Sequence, residues 1–310
     1  MINKEPINQT KLFRLNNSIE ELIRLEQNNT LPNKILLSGQ KGIGKSTLAY
    51  HFINYVLSKD EEFKYNYDNL EININNHSYK TVLNKSNPNL ILVDVNNEKK
   101  LIDINQIREL ISSLNKSSLN NKPRFVLIDN IEFLNINSVN ALLKILEEPN
   151  FNVYFILINS DKKVIPTLKS RCINFRVSLS SEENFLVANN LLEGKLNEFI
   201  SKNLINFYLT PGNIFNLVKF SQLNKYDLSN LNLNEFLKIL ISNNHYKKDN
   251  FIKYLIFDFV EFYFSKISYS ISPKIHDSYS YFLKRISDTR KFNLDEESLF
   301  IEFEEKILNG

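Results

Sequence analysis

The sequence predicts an α/β P-loop domain built on a parallel sheet, followed by an all-helical C-terminal region. Three observations carry this reading. An apolar segment, Ile35-Leu36-Leu37, runs into Gly39-x-x-x-x-Gly44-Lys45-Ser46 and then into a helix-like stretch, the strand–loop–helix context that a phosphate-binding loop requires. Apolar strand-like runs then alternate with amphipathic helices as far as Val177, the signature of a parallel, doubly wound sheet. From Ser181 to the C-terminus only helical patterns follow. The expected boundaries near residues 178 and 222 divide the chain into 1–177, 178–221 and 222–310.

Residues 18–26 form an amphipathic helix with Ile19, Leu22, Ile23 and Leu25 apolar, and Pro32 precedes the first strand, 35–37. After the glycine loop a helix continues over 48–57, with Leu48, Phe52, Val56 and Leu57 as its stripe. Residues 58–87, rich in Asn, Tyr and charge without a clear period, read as an irregular surface insertion. Pro88 then introduces a second strand, Leu90-Ile91-Leu92-Val93. Asp103-x-x-Gln106 has the form of a capping box, opening a helix with Ile104, Ile107, Leu110, Ile111 and Leu114 on one side.

Past Pro123, Arg124-Phe125-Val126-Leu127-Ile128 is a continuous apolar run ending in Asp129, as expected of a strand buried on both faces. A helix begins at Ser138 and is stopped by Pro149. Buried strands are expected over 153–158 and 173–177.

The chemistry of the loop follows from its residue types. Three of the six glycines, Gly39, Gly42 and Gly44, fall within Gly39-Gln40-Lys41-Gly42-Ile43-Gly44-Lys45-Ser46-Thr47. Glycine lets the backbone turn with φ > 0, so that successive N–H groups converge on phosphate oxygens at a helix N-terminus. Lys45 would reach the β- and γ-phosphates of ATP or ADP, and the Ser46 hydroxyl would hold Mg²⁺. Asp129, at the end of an apolar strand downstream, is the Walker B carboxylate that completes the metal position. In an active ATPase the following residue is normally Glu; here it is Asn130. An amide can hydrogen-bond a water but cannot take its proton, so weak hydrolysis is expected.

Composition narrows the classes further. With 310 residues and 43% hydrophobic content the chain can build two or three packed domains. Its Asn, Ile and Lys richness reads as coding bias, and a net charge of +3 creates no global field toward nucleic acid. One cysteine, Cys172, excludes a disulfide framework or a multi-cysteine zinc site, and His51, His77, His245 and His276 show no metal spacing. The N-terminus is polar rather than leader-like, and the apolar run 254–264 is broken by Asp258 and Glu261, so a cytoplasmic protein is expected.

Three stretches together resemble the AAA+ clamp-loader family of bacterial DNA polymerase III. They are the glycine loop; Ile128-Asp129-Asn130 with Asn140-Ala141-Leu142-Leu143-Lys144-Ile145-Leu146-Glu147-Glu148-Pro149; and Ser170-Arg171-Cys172. The motif-dense part spans residues 34–176, residues 12–30 match weakly, and the tail matches only in being helical. The resemblance implies that Arg171 is an arginine finger completing a neighbouring subunit's ATP site, and that Asn159 is the sensor 1 residue at the γ-phosphate. It also implies that 178–221 is a small helical lid and 222–310 an oligomerisation collar. Within the latter, Ile252, Leu255, Ile256, Phe259, Val260 and Tyr263 trace one helical face by their spacing, which suits an internal core at least as well as an intersubunit seam.

Departures from the family's motor (gamma/tau) pattern narrow the choice. Asn130 replaces the Walker B Glu, no cysteine zinc module is present, and Pro211-Gly212-Asn213 has Asn where the lid carries arginine. This pattern resembles the delta-prime type, which keeps the finger while losing hydrolytic parts. The implied partners are gamma/tau and delta subunits, the sliding clamp, and primed DNA within the complex; no zinc is expected. Lys162, Lys163, Lys169, Lys247, Lys248, Arg285, Arg290 and Lys291 read as solvated surface rather than a DNA site. A self-sufficient AAA+ ATPase is the alternative, opposed by Asn130 and Asn213. A P-loop kinase would leave the second and third stretches without purpose.

Overall fold

A computed structural model describes residues 4–95, 101–116, 120–148, 152–160, 165–205, 209–267, 273–292 and 294–309. Pro149, Lys162 and Lys163 lie outside them, as do the side chains of His276 and Arg290. The chain divides into two compact units, Met1–Leu191 with Thr210–Asn213, and Leu192–Leu209 with Ile214–Gly310.

The first unit carries the predicted α/β fold, with bounds that differ from the expected 1–177. Its strands are β1 (Lys34–Ser38), β2 (Leu90–Val93), β3 (Arg124–Ile128), β4 (Val153–Asn159) and β5 (Ile173–Arg176), and its helices α1 (Asn16–Gln27), α2 (Lys45–Leu57), α3 (His77–Leu83), α4 (Ile104–Leu114), α5 (Ile136–Glu147), α6 (Pro166–Lys169) and α7 (Ser181–Leu192). The strands form one sheet in the order β2-β3-β4-β1-β5, every pair parallel. Alternation along β1 explains why its strands read as unbroken apolar runs. Ile35 and Leu37 enter the core on the α1/α2 side, while Leu36 enters the core shared with α4 and α5. At the sheet edge β5 is not the buried strand expected, and Ile173 is 55% exposed.

The register fixes the site. Ser38 pairs with Asn159, Ile128 with Leu157, and Val93 with Ile128. The first residues beyond β1, β3 and β2 — Gly39, Asp129 and Asp94 — therefore emerge along one edge of the sheet, with Asn159 ending β4 among them.

Residues 58–87 are not the irregular surface insertion their composition suggested. Tyr65, Leu70, Ile72 and Tyr79 are buried in the α1/α2 core. The segment is tied to the N-terminal residues by the Leu12 N–H on Leu70 O (3.0 Å) and the Ile72 N–H on Thr10 O (2.7 Å). Asn76, fully buried, accepts the Tyr79 N–H as the cap of α3, accepts from Asn54 Nδ2 (3.1 Å) and donates to Phe63 O (2.8 Å). Its polar side chains satisfy buried backbone, which composition alone reads as surface.

Two helix starts can be compared with expectation. The Asp103–Gln106 capping box opens α4 as its spacing predicts. Helix α5 begins before Ser138, because Asn135 is the cap and accepts the Ser138 N–H at 2.9 Å. The Ser138 hydroxyl, fully buried, instead donates to Ile102 O at 2.9 Å.

The second unit contains α8 (Leu196–Phe199), most of α9 (Pro211–Asn224), α10 (Leu233–Ser242), α11 (His245–Lys248), α12 (Asn250–Ile267), α13 (Pro273–Phe292) and α14 (Glu296–Phe303). On α12 the expected apolar face is inside, with Tyr263 only partly so. Phe257, Phe262 and Phe264 are buried as well, so burial extends around most of the helix rather than along one stripe. Among the described residues no helix is long and apolar enough to cross a membrane.

Candidate functional site

The loop between β1 and α2 is held open by its glycines. Gly39, Gly42 and Gly44 have φ of 147°, 86° and 98°, conformations that L side chains rarely adopt. A Cβ on Gly39 would lie 2.2 Å from Val177 O, and one on Gly42 would lie 2.4 Å from Thr210 Oγ1. Ile43 anchors the loop, its side chain buried in the α1/α2 core. Gln40 and Lys41 are exposed, and Thr47 is partly buried in the first turn of α2.

Lys45 is 4% exposed, and its ammonium donates to Gly39 O (2.7 Å) and Gln40 O (2.6 Å). The loop's own carbonyls thus hold the cation at the N-terminal end of α2, where a phosphate oxygen would be met by charge and backbone N–H groups together.

Ser46 and Asp129, 83 residues apart, meet: the Ser46 hydroxyl donates to Asp129 Oδ2 at 2.5 Å, and the Asn130 N–H donates to Oδ1 at 2.7 Å. Burial raises the Asp129 pKa, and the nearby Asp94 adds to the rise. The Ser46 hydroxyl, the Asn130 N–H and the Lys45 charge act in the opposite direction without cancelling it. A partly buried carboxylate beside a hydroxyl is a hard-oxygen donor set, and it suits Mg²⁺ with phosphate and water oxygens filling the remaining positions. With the glycine cradle adjoining, the residues present fit a magnesium nucleotide.

Asn159 is buried, as its place between β3 and β1 requires. Asn130 adopts a left-handed conformation, φ 56° and ψ 46°, which Asn tolerates better than most residues. Its side chain does not extend toward the loop; Nδ2 donates to Asp94 Oδ1 at 2.8 Å.

Asp94 is the residue that sequence reasoning passed over. Its signal was present: Leu90-Ile91-Leu92-Val93-Asp94 repeats, one strand over, the apolar-run-then-Asp pattern that identified Asp129. Tyr50 was also missed. It lies one turn after Ser46 on α2, and burial together with the charges of Asp129 and Asp94 pushes its phenol well above the ordinary tyrosine range.

Arg171 is placed apart from the loop. Its Nε donates to Glu147 Oε1 at 3.0 Å, Nη2 bonds the same oxygen, and Nη1 donates to Thr167 O at 3.0 Å. The guanidinium's side chain is 33% exposed and Glu147's is 56% exposed. This surface pair joins two of the sequence motifs, and pairs of this kind are weakly held.

Residues 210–213 supply a contact of another kind. Thr210 Oγ1 donates to Lys41 O (2.7 Å), the Gly212 N–H donates to Gly42 O (2.9 Å), and a Cβ on Gly212 would come within 2.8 Å of Gly42 Cα. Two glycines are required where these backbones touch, whatever the side chain at Asn213.

Comparison with known proteins adds the lineage. The profile described as "DNA polymerase III, delta subunit" matches residues 15–180. A DNA polymerase III subunit delta' of Buchnera aphidicola (subsp. Baizongia pistaciae) is 31% identical over 177 residues, 55% of this chain and 51% of that protein. The subunit delta' of Buchnera aphidicola (subsp. Schizaphis graminum) is 26% identical over 265 residues, 80% of this chain and 76% of its own length. A subunit gamma from the latter organism is 32% identical over 161 residues, 49% of this chain and 40% of that protein. The alignments thus span about half of the first relative and three quarters of the second. Because the profile covers more than half of its length, the chain belongs to the DNA polymerase III delta-subunit family, with subunits delta' among its relatives.

Proposed function

We propose that this chain is a delta-prime-like subunit of a DNA polymerase III clamp loader, helping to place the sliding clamp on primed DNA alongside gamma/tau and delta subunits in the cytoplasm. Gly39 to Thr47 bind ATP or ADP, with Ser46 and Asp129 holding Mg²⁺ and Asn159 facing the γ-phosphate. Bound Mg²⁺ neutralises phosphate charge. The chain's residues cradle the phosphates through backbone N–H groups, place the Lys45 ammonium against them, and keep the Asp129 carboxylate in position through Ser46 and Asn130.

The observation that carries this reading is the pairing of an intact phosphate loop with an amide, Asn130, at the position where a motor subunit has its water-activating acid. Such a site retains nucleotide far better than it turns it over. Arg171 acts in trans. Its contact with the exposed Glu147 is weak enough to be exchanged for a γ-phosphate presented by a neighbouring subunit. The helices after residue 178 act first as a lid (178–221) and then as a collar (222–310) that joins the ring.

The test is Arg171→Ala in the reconstituted loader. ATP hydrolysis by the assembly is expected to fall by at least about tenfold, the lower end of what arginine fingers contribute being larger still. Nucleotide binding to the isolated chain is expected to be unchanged. A loader with the full rate would remove the finger assignment.

A further inference from the structure

We propose that Asp94 supplies the catalytic carboxylate that position 130 lacks, giving this chain a slow ATPase of its own. The inference rests on the nucleotide-binding reading above and extends it from retention to turnover.

Neighbouring strands exchange an acid and an amide at their ends. Where β3 ends in Asp129-Asn130, an amide occupies the place of the expected acid; where β2 ends, an acid, Asp94, is hydrogen-bonded to that amide at 2.8 Å. The parallel register carries both to the same edge, since Val93 pairs with Ile128 and the Asp129 N–H donates to Val93 O at 2.9 Å. Asp94 therefore stands beside Asp129, which in turn holds Ser46 at the mouth of the phosphate loop.

The orientation of Asp94 is determined through one oxygen. Oδ1 accepts from Asn130 Nδ2 and from the Val95 N–H at 2.6 Å, while the Asp94 carbonyl accepts from Gln106 Nε2 at 2.8 Å. Among the described residues nothing donates to Oδ2, and the residue is exposed, so water reaches it. Asp94 is close enough for its charge to raise the pKa values of Asp129 and Tyr50, so the carboxylate belongs to the metal-side electrostatics of the site. Glu132, the other acid following β3, is engaged at the end of β4, where it accepts the Ser160 N–H at 3.4 Å.

The step balances without a further reactant. A water held by Asp94 Oδ2 attacks the γ-phosphorus of ATP as its proton passes to Oδ2. The bond from that phosphorus to the β–γ bridging oxygen breaks, and its electron pair leaves with ADP. The proton then passes to solvent, leaving ADP and inorganic phosphate. Asn130 is a positioning residue in this scheme, fixing Oδ1 so that Oδ2 is presented outward.

The experiment uses the full chain alone, with two independent readouts: binding of a fluorescent ATP analogue, and single-turnover hydrolysis of labelled ATP with Mg²⁺. The unaltered chain is expected to bind and to hydrolyse slowly. Asp94→Asn is expected to lower the hydrolysis rate about 100-fold, the lower range of a general base, with the analogue's Kd within about twofold. Asp94→Glu, which keeps a carboxylate, is expected to retain more of the rate than Asp94→Asn, and Glu132→Gln to leave it unchanged. Normal binding with no hydrolysis by the unaltered chain, or undiminished hydrolysis by Asp94→Asn, overturns this inference and leaves the nucleotide-binding reading intact. No binding of the analogue overturns both.

Discussion

The α/β unit and the helical unit bury different chemistry. Of the described polar side chains that are buried, only Ser221, His245 and Thr289 belong to the helical unit. Lys45, His51, Asn54, Ser58, Asn76, Ser78, Asn89, Ser138, Asn159 and Thr210 belong to the α/β unit. The helical unit is instead filled with phenyl rings: Phe236, Phe257, Phe259, Phe264, Phe282, Phe300 and Phe303 are all at most 1% exposed. Phe264 stacks on Phe282 (centroids 5.8 Å) and meets Phe303 edge-on (5.9 Å). Aromatic burial is non-specific in chemistry and large in energy, and it yields a stable body. Buried polar groups stabilise only when every partner is in place, and they fix one arrangement at the strand ends. The difference teaches that the α/β unit sets its site-building polar interactions within two apolar cores, whereas the helical unit packs almost entirely through apolar and aromatic side chains.

The comparison is broken most severely from the helical side. Phe264→Ala removes a ring from the centre of that cluster and is expected to destabilise by about 3–5 kcal/mol in urea unfolding. Nucleotide affinity of the protein that remains folded is expected to be unaltered; a parallel loss of affinity would erase the division of labour.

A pH titration tests the polar side. His51 is fully buried, and burial lowers its pKa to about 4, against the smaller raising effect of its bond to Gln9 O. Because that carbonyl only accepts, Nε2 carries the proton and Nδ1 accepts from the Tyr65 hydroxyl at 3.0 Å. The folded state holds fewer protons than the unfolded state between the ordinary value, 6.5, and 4. Stability from this group is therefore complete above pH 6.5 and is lost as pH falls toward 4, at up to about 1.4 kcal/mol per pH unit. His51→Gln is expected to flatten the stability profile in that window, and an unchanged slope would mean that another group is responsible.

The smallest effect sharpens the comparison by crossing it. Both units open a helix with a complete capping box, Asp103 with Gln106 in α4 and Asn232 with Glu235 in α10. Replacing either cap by Ala is expected to cost about 1 kcal/mol. Equal losses in thermal or urea melts would show that local backbone satisfaction is independent of the kind of core behind it.

How much was legible in the sequence follows the range of the interactions. Helix α4, its cap and its stripe, the strands β1 to β4 and the glycine loop were readable because caps, periodicity and glycine conformations act within a few residues. Ser46 and Asp129 could be assigned to one site before their contact was seen, because each stands in a short pattern with its own chemical reason. The sequence by itself thus determined the alternation of strands and helices around the sheet and the conformation of the glycine loop.

Tertiary structure alone decided the rest. Parallel strands pair only after a crossover, so no local pattern announces that Asp94 will reach Asn130 across 36 positions. Nor does any local pattern announce that Thr210 will bond Lys41 O across 169. Residues 58–87 looked like surface because Asn and Tyr are polar by composition, yet Asn76 and Tyr65 are buried through bonds to Asn54, Phe63 and His51 that form only when the chain folds back on α2. Arg171 was nameable from its motif, but its tie to Glu147 depends on where α5 and α6 come to rest. Short-range chemistry is written in neighbouring letters; register and crossover geometry belong to the folded chain.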